Sequence, residues 1–221
     1  MNLPHRASLL VLLIGIPPAL VNLTQLGSGP AKFVASFPQT ALALAVPLLL
    51  AVLLHRWAEP ADPPPRHPTP AVLAGCLALG FLLVLPTAVL SWISVQIAGL
   101  LGTGPTPDRI LDAIAARDPN GISSARLLAM VGACTVGPLT EELLYRGVLF
   151  RELARDGHVL RSALLTSFFF AVLHVEPFYL LPLFAVALVF TATYRRYGVA
   201  ASALVHGAFN LANLLLALFA Q

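Results

Sequence analysis

The sequence predicts an all-α protein, a polytopic transmembrane helical bundle with about seven spans. Of the 221 residues, 58% are apolar and only 10% are charged, whereas a soluble domain has about 25% charged residues. The mean hydropathy is +0.85. The apolar residues are also grouped into runs of about 20, the length that a helix needs to cross the hydrocarbon core of a bilayer.

Seven apolar runs meet this length or come close to it. The first follows Arg6 and contains two prolines. No small-residue cleavage site follows it, so we interpret it as a span and not as a signal peptide. The fifth and sixth runs are short, which favours burial inside a bundle. The predicted spans are 7–26, 38–57, 71–100, 124–150, 159–175, 178–194 and 199–219.

The segments between these runs indicate two parts of one integrated domain. A proline-rich connector, 59–68, carries no catalytic pattern. In segment 107–118 apolar residues recur at helical spacing, so we expect a short amphipathic helix in the membrane interface. The N-terminal part, 1–120, then holds membrane spans and this segment. The C-terminal part, 121–221, is expected to form a core of four helices, which the motifs described below predict to be catalytic.

Charge limits the partners and orients the chain. The net charge of +3 is small and the basic residues are scattered, so we expect the lipid bilayer and no nucleic acid as a partner. Basic residues favour cytoplasmic loops, and a cytoplasmic N-terminus places eight of them inside against four outside. The inside set is Arg6, Arg56, Arg66, Arg151, Arg155, Arg161, Arg195 and Arg196, and the outside set is Lys32, Arg109, Arg117 and Arg126. The short loops and Ala/Leu/Pro/Arg-rich composition favour a bacterial cytoplasmic (inner) membrane.

Three charged residues lie inside the fourth span, within the segment Leu-Thr-Glu-Glu-Leu-Leu-Tyr-Arg-Gly at 139–147. A charge at the centre of a span costs roughly 2.5–3.5 kcal/mol on insertion scales. Such groups must therefore be paired with another residue, be hydrated or take part in the function of the protein. Glu142 and Arg146 are four residues apart, share a helix face and are predicted to pair as structural support. Glu141 is rotated by about 100° from Glu142. Because Glu142 is predicted to pair with Arg146, Glu141 is the carboxylate that remains available for chemistry.

Two later spans bring further polar side chains to this depth. Glu141 lies 16 residues before Gly157 and His174 lies 17 after it, so an antiparallel hairpin would place them level. His206 and Asn210 are four residues apart and share a face. A desolvated Glu beside a His can deprotonate a water, and a second His with an amide can bind a developing oxyanion. These four residues predict a peptide hydrolase that uses no serine or cysteine nucleophile.

Three motifs therefore occur in order on successive apolar runs: Glu141-Glu142-x-x-x-Arg146, Phe170-x-x-x-His174 and His206-x-x-x-Asn210, with Pro138, Tyr145 and Gly147 around the first. Over about 121–215 they resemble the CAAX prenyl endopeptidase and bacteriocin-processing family of intramembrane proteases (CPBP, also called Abi). The resemblance implies that the first Glu and the His of the second motif activate water. It assigns the His and Asn of the third motif to the oxyanion, and the second Glu and the Arg to structure.

The use of a metal stays open at this point. The zinc signature His-Glu-x-x-His is absent, and Asn210 is a poor zinc ligand. Glu141, His174 and His206 could nevertheless form a three-ligand zinc site with an open position, and the resemblance carries the label of metalloprotease. We favour a mechanism that requires no cofactor, with zinc as the alternative. Two further residues, Cys76 and Cys134, lie in apolar runs without metal or redox spacing.

Two other classes of function are the alternatives to an endopeptidase. A catalytically silent membrane binding or immunity protein would tolerate loss of Glu141 or His174, yet both are present. A proton-coupled transporter also uses intramembrane ionisable residues, but it would usually show an internal repeat. The expected partner is a membrane-associated peptide or a hydrophobic protein tail. Prenylated substrates are implied by the resemblance to eukaryotic members and are not a general expectation for a bacterial chain.

Overall fold

The computed structural model of the chain describes residues 37–57, 68–100, 102, 123–155, 157–174 and 177–219. The predicted first span, the interfacial segment 107–118 and nearly all of the connector lie outside the described residues. Within them every regular element is helical, which confirms the all-α class for this part of the chain. The helices are α1 (Phe37–Trp57), α2 (Pro70–Leu82), α3 (Val84–Leu100), α4 (Ser124–Cys134), α5 (Val136–Leu144), a π-type segment (Tyr145–Phe150), α6 (Arg151–Leu153), α7 (Val159–Leu173), a 3-10 turn (Pro177–Tyr179) and α8 (Leu180–Phe219).

Three helical stretches of the described chain are long and apolar enough to cross a membrane: Pro70–Leu100, Ser124–Leu153 and Leu180–Phe219. Two shorter apolar helices, Thr40–Arg56 and Val159–Leu173, accompany them. Large apolar side chains cover the outer faces, as with Leu85, which is 68% exposed. Contact with lipid explains this exposure, which a soluble protein would avoid. The total of seven spans stays a prediction.

The helix α8 reverses direction at Gly198. Its φ of +83° there is a conformation that glycine adopts without a steric penalty. The hydroxyl of Ser202 lies 2.9 Å from the carbonyl oxygen of Phe190, although twelve residues of straight helix would span about 18 Å. The first limb of α8 (180–197) and its second limb (199–219) are therefore antiparallel. They correspond to the sixth and seventh predicted spans.

The fourth predicted span is interrupted at Thr135, between α4 and α5. Thr135 has φ −131° and ψ −74°, and its N–H bonds to the carbonyl of Gly132. Pro138 has no N–H to donate to the carbonyl of Cys134, four residues earlier. The second limb of α8 approaches the interruption closely, since a Cβ at Gly207 would overlap the Cys134 carbonyl oxygen. The break therefore lies directly against the limb that carries His206.

The π-type segment that follows α5 carries Arg146 and Gly147, and all six of its residues are buried. Such wide turns insert one extra residue into a helix and are frequent at functional sites. The carbonyl oxygen of Gly147 lies 3.2 Å from Nδ1 of His55 and accepts a hydrogen bond from Arg151 at 3.2 Å. The end of α1 thus packs on the segment that holds Arg146.

The centre of the bundle is α8, which packs against α2, α3, α4, α5 and α7. The approach to α2 is close because Gly80 has no side chain, and a Cβ there would lie 2.5 Å from the Val205 carbonyl oxygen. Burial of Val186, Phe190 and Val205 places the apolar core along both limbs. The polar site described next lies between these limbs and α5.

Candidate active site

Glu142 is completely buried and is held by three donors. Arg146 donates to its Oε1 at 2.8 Å, Ser202 donates to Oε2 at 2.6 Å, and Nδ1 of His206 lies 3.1 Å from Oε1. The pair predicted from the sequence, Glu142 with Arg146, is present. It belongs to a larger network, however, that reaches from α5 to the second limb of α8. Because a buried carboxylate is costly unless it is paired and hydrogen-bonded, these contacts stabilise the bundle as a unit.

Arg146 is likewise fully buried and uses several of its donors. Besides Glu142, its Nη2 donates to the carbonyl of Ala187 at 2.9 Å, and its Nε lies 3.4 Å from the hydroxyl of Thr191. The guanidinium carbon lies 4.8 Å from the ring centroid of Phe170. A planar group with five donors suits this combination of ion pair, carbonyl and ring, whereas a lysine would supply a single point charge. Arg146 thus joins α5 to the first limb of α8.

His206 lies between the two adjacent glutamates. Its Nδ1 faces Glu142, and its Nε2 lies 3.8 Å from Oε2 of Glu141. The ring stacks on Phe190 with centroids 4.4 Å apart and an interplanar angle of 22°, and Phe170 packs edge-on at 5.7 Å. These rings fix the plane of the imidazole, and Glu142 fixes which nitrogen points outward. The ring atom left to face Glu141 is therefore Nε2.

Glu141 differs from Glu142 in being only partly enclosed. Its side chain is 36% exposed, yet its Oε2 is buried and has no hydrogen-bond partner among the described residues. The 3.8 Å to His206 exceeds hydrogen-bonding distance. A buried carboxylate oxygen without a donor is unusual in a folded protein. Oε2 of Glu141 therefore lacks the donor that a buried carboxylate oxygen normally has.

His174 lies at the C-terminal end of α7 and is half-buried. Its Nδ1 lies 2.7 Å from the carbonyl oxygen of Phe170, which requires a proton on Nδ1 and leaves Nε2 free to accept one. The ring centroids of Phe170 and His174 are 4.6 Å apart. The sequence predicted that His174 lies level with Glu141, which stays a prediction; the histidine with an ion-pair contact to Glu141 among the described residues is His206. His174 joins the site through Phe170, whose ring also contacts His206.

Asn210 lies one turn beyond His206 on the second limb. Its amide nitrogen donates to the carbonyl of Ala133 at 2.9 Å, where the interruption at Thr135 opens the helix. One of its two N–H groups is thereby used to hold the break, and the second stays available for another acceptor. The structure thus gives Asn210 a contact that sequence reasoning did not foresee. The break it holds lies two turns before Glu141.

The residues that could hold zinc do not form a ligand group. Among the described residues, no three His, Cys, Asp or Glu side chains are placed to bind one metal ion. The set considered from the sequence was Glu141, His174 and His206, but among the described residues an ion-pair contact with Glu141 is present for His206 and not for His174. The geometry of these side chains does not fit a three-ligand zinc centre.

Ser202 is the member of the network that sequence reasoning missed. It is fully buried and lies four residues before His206, so it shares a helix face with His206 and Asn210. That spacing was the available signal, because serine, histidine and asparagine recur every fourth residue in an apolar helix. Serine is common in membrane helices, where its hydroxyl usually bonds to its own helix. Ser202 differs from such serines because its hydroxyl also reaches the carboxylate of Glu142, a contact that the sequence does not reveal.

The fold and the site define a class: a helical membrane protein with an ionisable site buried between its C-terminal helices. Residues 123–212 match the family model described as type II CAAX prenyl endopeptidase Rce1-like. This match confirms the resemblance that the three motifs carry. The match supports a CAAX-protease-like hydrolase at the level of the family. Comparison with curated proteins and with solved structures gives no significant match.

Proposed function

We propose that the protein is an intramembrane endopeptidase that cleaves peptide bonds of membrane-associated peptides or hydrophobic protein tails. The observation that carries this proposal is the buried, unpartnered Oε2 of Glu141, which lies 3.8 Å from Nε2 of His206. An oxygen in this position can accept a hydrogen bond from a water molecule, and the nearby Nε2 can donate to the carbonyl oxygen of a substrate. The family match supports the reaction class.

In the proposed reaction Glu141 is the general base. It takes a proton from water, and the resulting hydroxide attacks the peptide carbonyl carbon, so that a C–O bond forms and a tetrahedral oxyanion develops. His174, with a free Nε2, is proposed to assist in holding the water. The C–N bond then breaks, and the departing amine receives the proton that Glu141 accepted.

The oxyanion is proposed to be bound by His206 through Nε2 and by the second N–H of Asn210. This role requires a proton on each ring nitrogen of His206, since Nδ1 donates to Glu142 while Nε2 donates to the substrate. Removing one such donor typically lowers kcat by about 10²–10³. Glu142 and Arg146 are proposed to hold this donor and not to touch the substrate. The proposed mechanism requires no metal.

The proposed setting is the bacterial cytoplasmic membrane, with the N-terminus inside and the substrate reaching the site from the bilayer. The basis is the distribution of basic residues, eight inside against four outside. The proposal has two versions. The substrate carries a prenyl group in one and lacks it in the other.

The test uses full-length protein in proteoliposomes and an internally quenched peptide with a farnesylated CAAX end, beside the same peptide without the prenyl group. Products are identified by mass spectrometry. His174→Ala should lower the rate by roughly 10²-fold or more. The matched control is His158→Ala, because His158 is exposed at the opposite end of α7.

Cleavage by the wild type and by His158→Ala, with loss in His174→Ala, supports the endopeptidase. Cleavage of the farnesylated peptide alone would select the prenylated class of substrate. Cleavage of neither peptide, with no product in a mass-spectrometric comparison of membrane proteins from cells with and without the gene, would favour the silent binding protein.

A further inference from the structure

Ser202 has no part in the proposed chemistry, yet it makes the shortest contact to Glu142. Its side chain is completely buried. Its Oγ lies 2.6 Å from Oε2 of Glu142 and 2.9 Å from the carbonyl oxygen of Phe190. A hydroxyl has one proton to donate, and 2.6 Å is typical of an O–H group that donates to a charged oxygen. The proton therefore goes to the carboxylate.

Ser202 and His206 bind the two oxygens of one carboxylate from the same helix face. Ser202 donates to Oε2, and Nδ1 of His206 donates to Oε1, the oxygen that also accepts from Arg146. Two donors one helical turn apart on a rigid element fix the plane of the carboxylate. Without the hydroxyl, Oε2 would be buried without a donor and Glu142 could rotate away from His206.

We propose that Ser202 is a positioning residue that acts through Glu142 to aim Nε2 of His206 at the space beside Glu141. This inference rests on the proposed endopeptidase function, because its kinetic consequence is seen only in turnover. The structural part of the inference stands apart from activity. It states that the Nδ1–H bond of His206 depends on a hydroxyl at residue 202.

The kinetic test compares Ser202→Ala, Ser202→Thr and wild type on the internally quenched peptides in proteoliposomes. Ser202→Ala should lower kcat by roughly 10- to 100-fold, the range set by one hydrogen bond to a charged group, and leave KM unchanged. Ser202→Thr keeps the hydroxyl and should restore most of the turnover. The matched control is Ser167→Ala, because Ser167 is also fully buried but its Oγ has no partner among the described residues.

The second measurement does not depend on a substrate. Histidine-selective ¹⁵N labelling in detergent micelles gives the Nδ1–H resonance of His206, assigned by its loss in His206→Gln. In Ser202→Ala this proton should shift upfield or exchange faster with solvent, while Ser167→Ala should match the wild type. The measurement of the Nδ1–H resonance remains decisive if Ser202→Thr fails to fold.

A lower kcat together with a changed His206 resonance supports the proposal. An unchanged resonance in folded Ser202→Ala overturns it, whatever the turnover. If the wild type cleaves neither peptide and the mass-spectrometric comparison of membrane proteins shows no product, but the resonance changes, the endopeptidase proposal fails while the positioning of His206 by Ser202 holds. A fall in turnover of equal size in Ser167→Ala would show a general packing effect and would also overturn the proposal.

Discussion

The Nδ1 atom of His206 lies 3.1 Å from Oε1 of Glu142, the second of the two adjacent glutamates. Sequence reasoning assigned Glu142 to the support of Arg146 alone. In the structure the same carboxylate oxygen accepts from both side chains, so support and orientation of the site are one network. Damage to the network should therefore affect both the stability of the bundle and the direction of the imidazole.

Arg146→Ala should strongly destabilise the protein. The change leaves Glu142 as a buried charge that has lost its cationic partner, which typically costs about 3–5 kcal/mol. The measurement is unfolding in detergent, followed by circular dichroism over a titration with denaturing surfactant. Arg155→Ala is the control, because the Arg155–Glu152 pair at 3.4 Å is partly exposed and such pairs contribute little. An Arg146→Ala protein as stable as the control would contradict the buried-network account.

Gly147→Ala should destabilise the contact between α1 and the π-type segment. A Cβ at Gly147 would lie 2.5 Å from Nδ1 of His55, and overpacking of this kind costs about 1–3 kcal/mol. The double variant His55→Ala/Gly147→Ala should recover part of the loss, which the same surfactant titration would measure. Gly75→Ala is the control, since nothing lies within 4 Å of its Cβ position. Equal stability of the wild type, the two single variants and the double variant would show that α1 does not pack on this segment.

Asn210→Ala should loosen the interruption at Thr135. The carbonyl of Ala133 loses the amide that binds it, and the half-buried thiol of Cys134 next to it should become more reactive. In a Cys76→Ala background, the rate of labelling by N-ethylmaleimide should rise several-fold. Asn213→Ala is the control, because Asn213 bonds to Phe209 within its own helix. An unchanged rate in Asn210→Ala would argue against a holding role for this asparagine.

Removal of metal should leave the enzyme active. The proposed set of Glu141, His174, His206 and Asn210 activates water and binds the oxyanion with protein groups alone, and the described side chains assemble no three-ligand centre. After treatment with a strong chelator, peptide cleavage should persist and elemental analysis of the same preparation should give substoichiometric zinc. Near-stoichiometric zinc that tracks activity through stripping and reconstitution would overturn the metal-free mechanism.

The sequence predicted the helical class, the positions of the described apolar helices and the Glu142–Arg146 pair, because hydropathy and the i, i+4 spacing are local properties. Even the reversal at Gly198 agrees with separate spans ending at 194 and beginning at 199. The network that links α5 to α8 could not be predicted in the same way. It depends on the depth and rotation of one helix against another.

The neighbour of Glu141 illustrates this limit. An equal offset from Gly157 predicted His174, on the assumption of two straight helices. The chain departs from that assumption at Thr135 and over Tyr145–Phe150, and the wide turn after Glu141 changes the rotation of the helix before it reaches the hairpin. The structure adds a neighbour that this offset did not predict, His206 from another hairpin, whose Nε2 lies 3.8 Å from Glu141. Helix breaks and π-type turns have weak local sequence signatures. The contact of His206 with Glu141 could therefore be identified only from the structure.

The central claim, that Glu141 is the general base of a peptide hydrolase, is tested most directly by the turnover of Glu141→Gln beside Glu152→Gln. The two variants carry the same chemical change on one helical stretch, and Glu152 pairs with Arg155 at its loop end. Glu141→Gln should lower kcat/KM by roughly 10²-fold or more, with unfolding in detergent unchanged, while Glu152→Gln keeps the wild-type value. Wild-type turnover in Glu141→Gln would contradict the account.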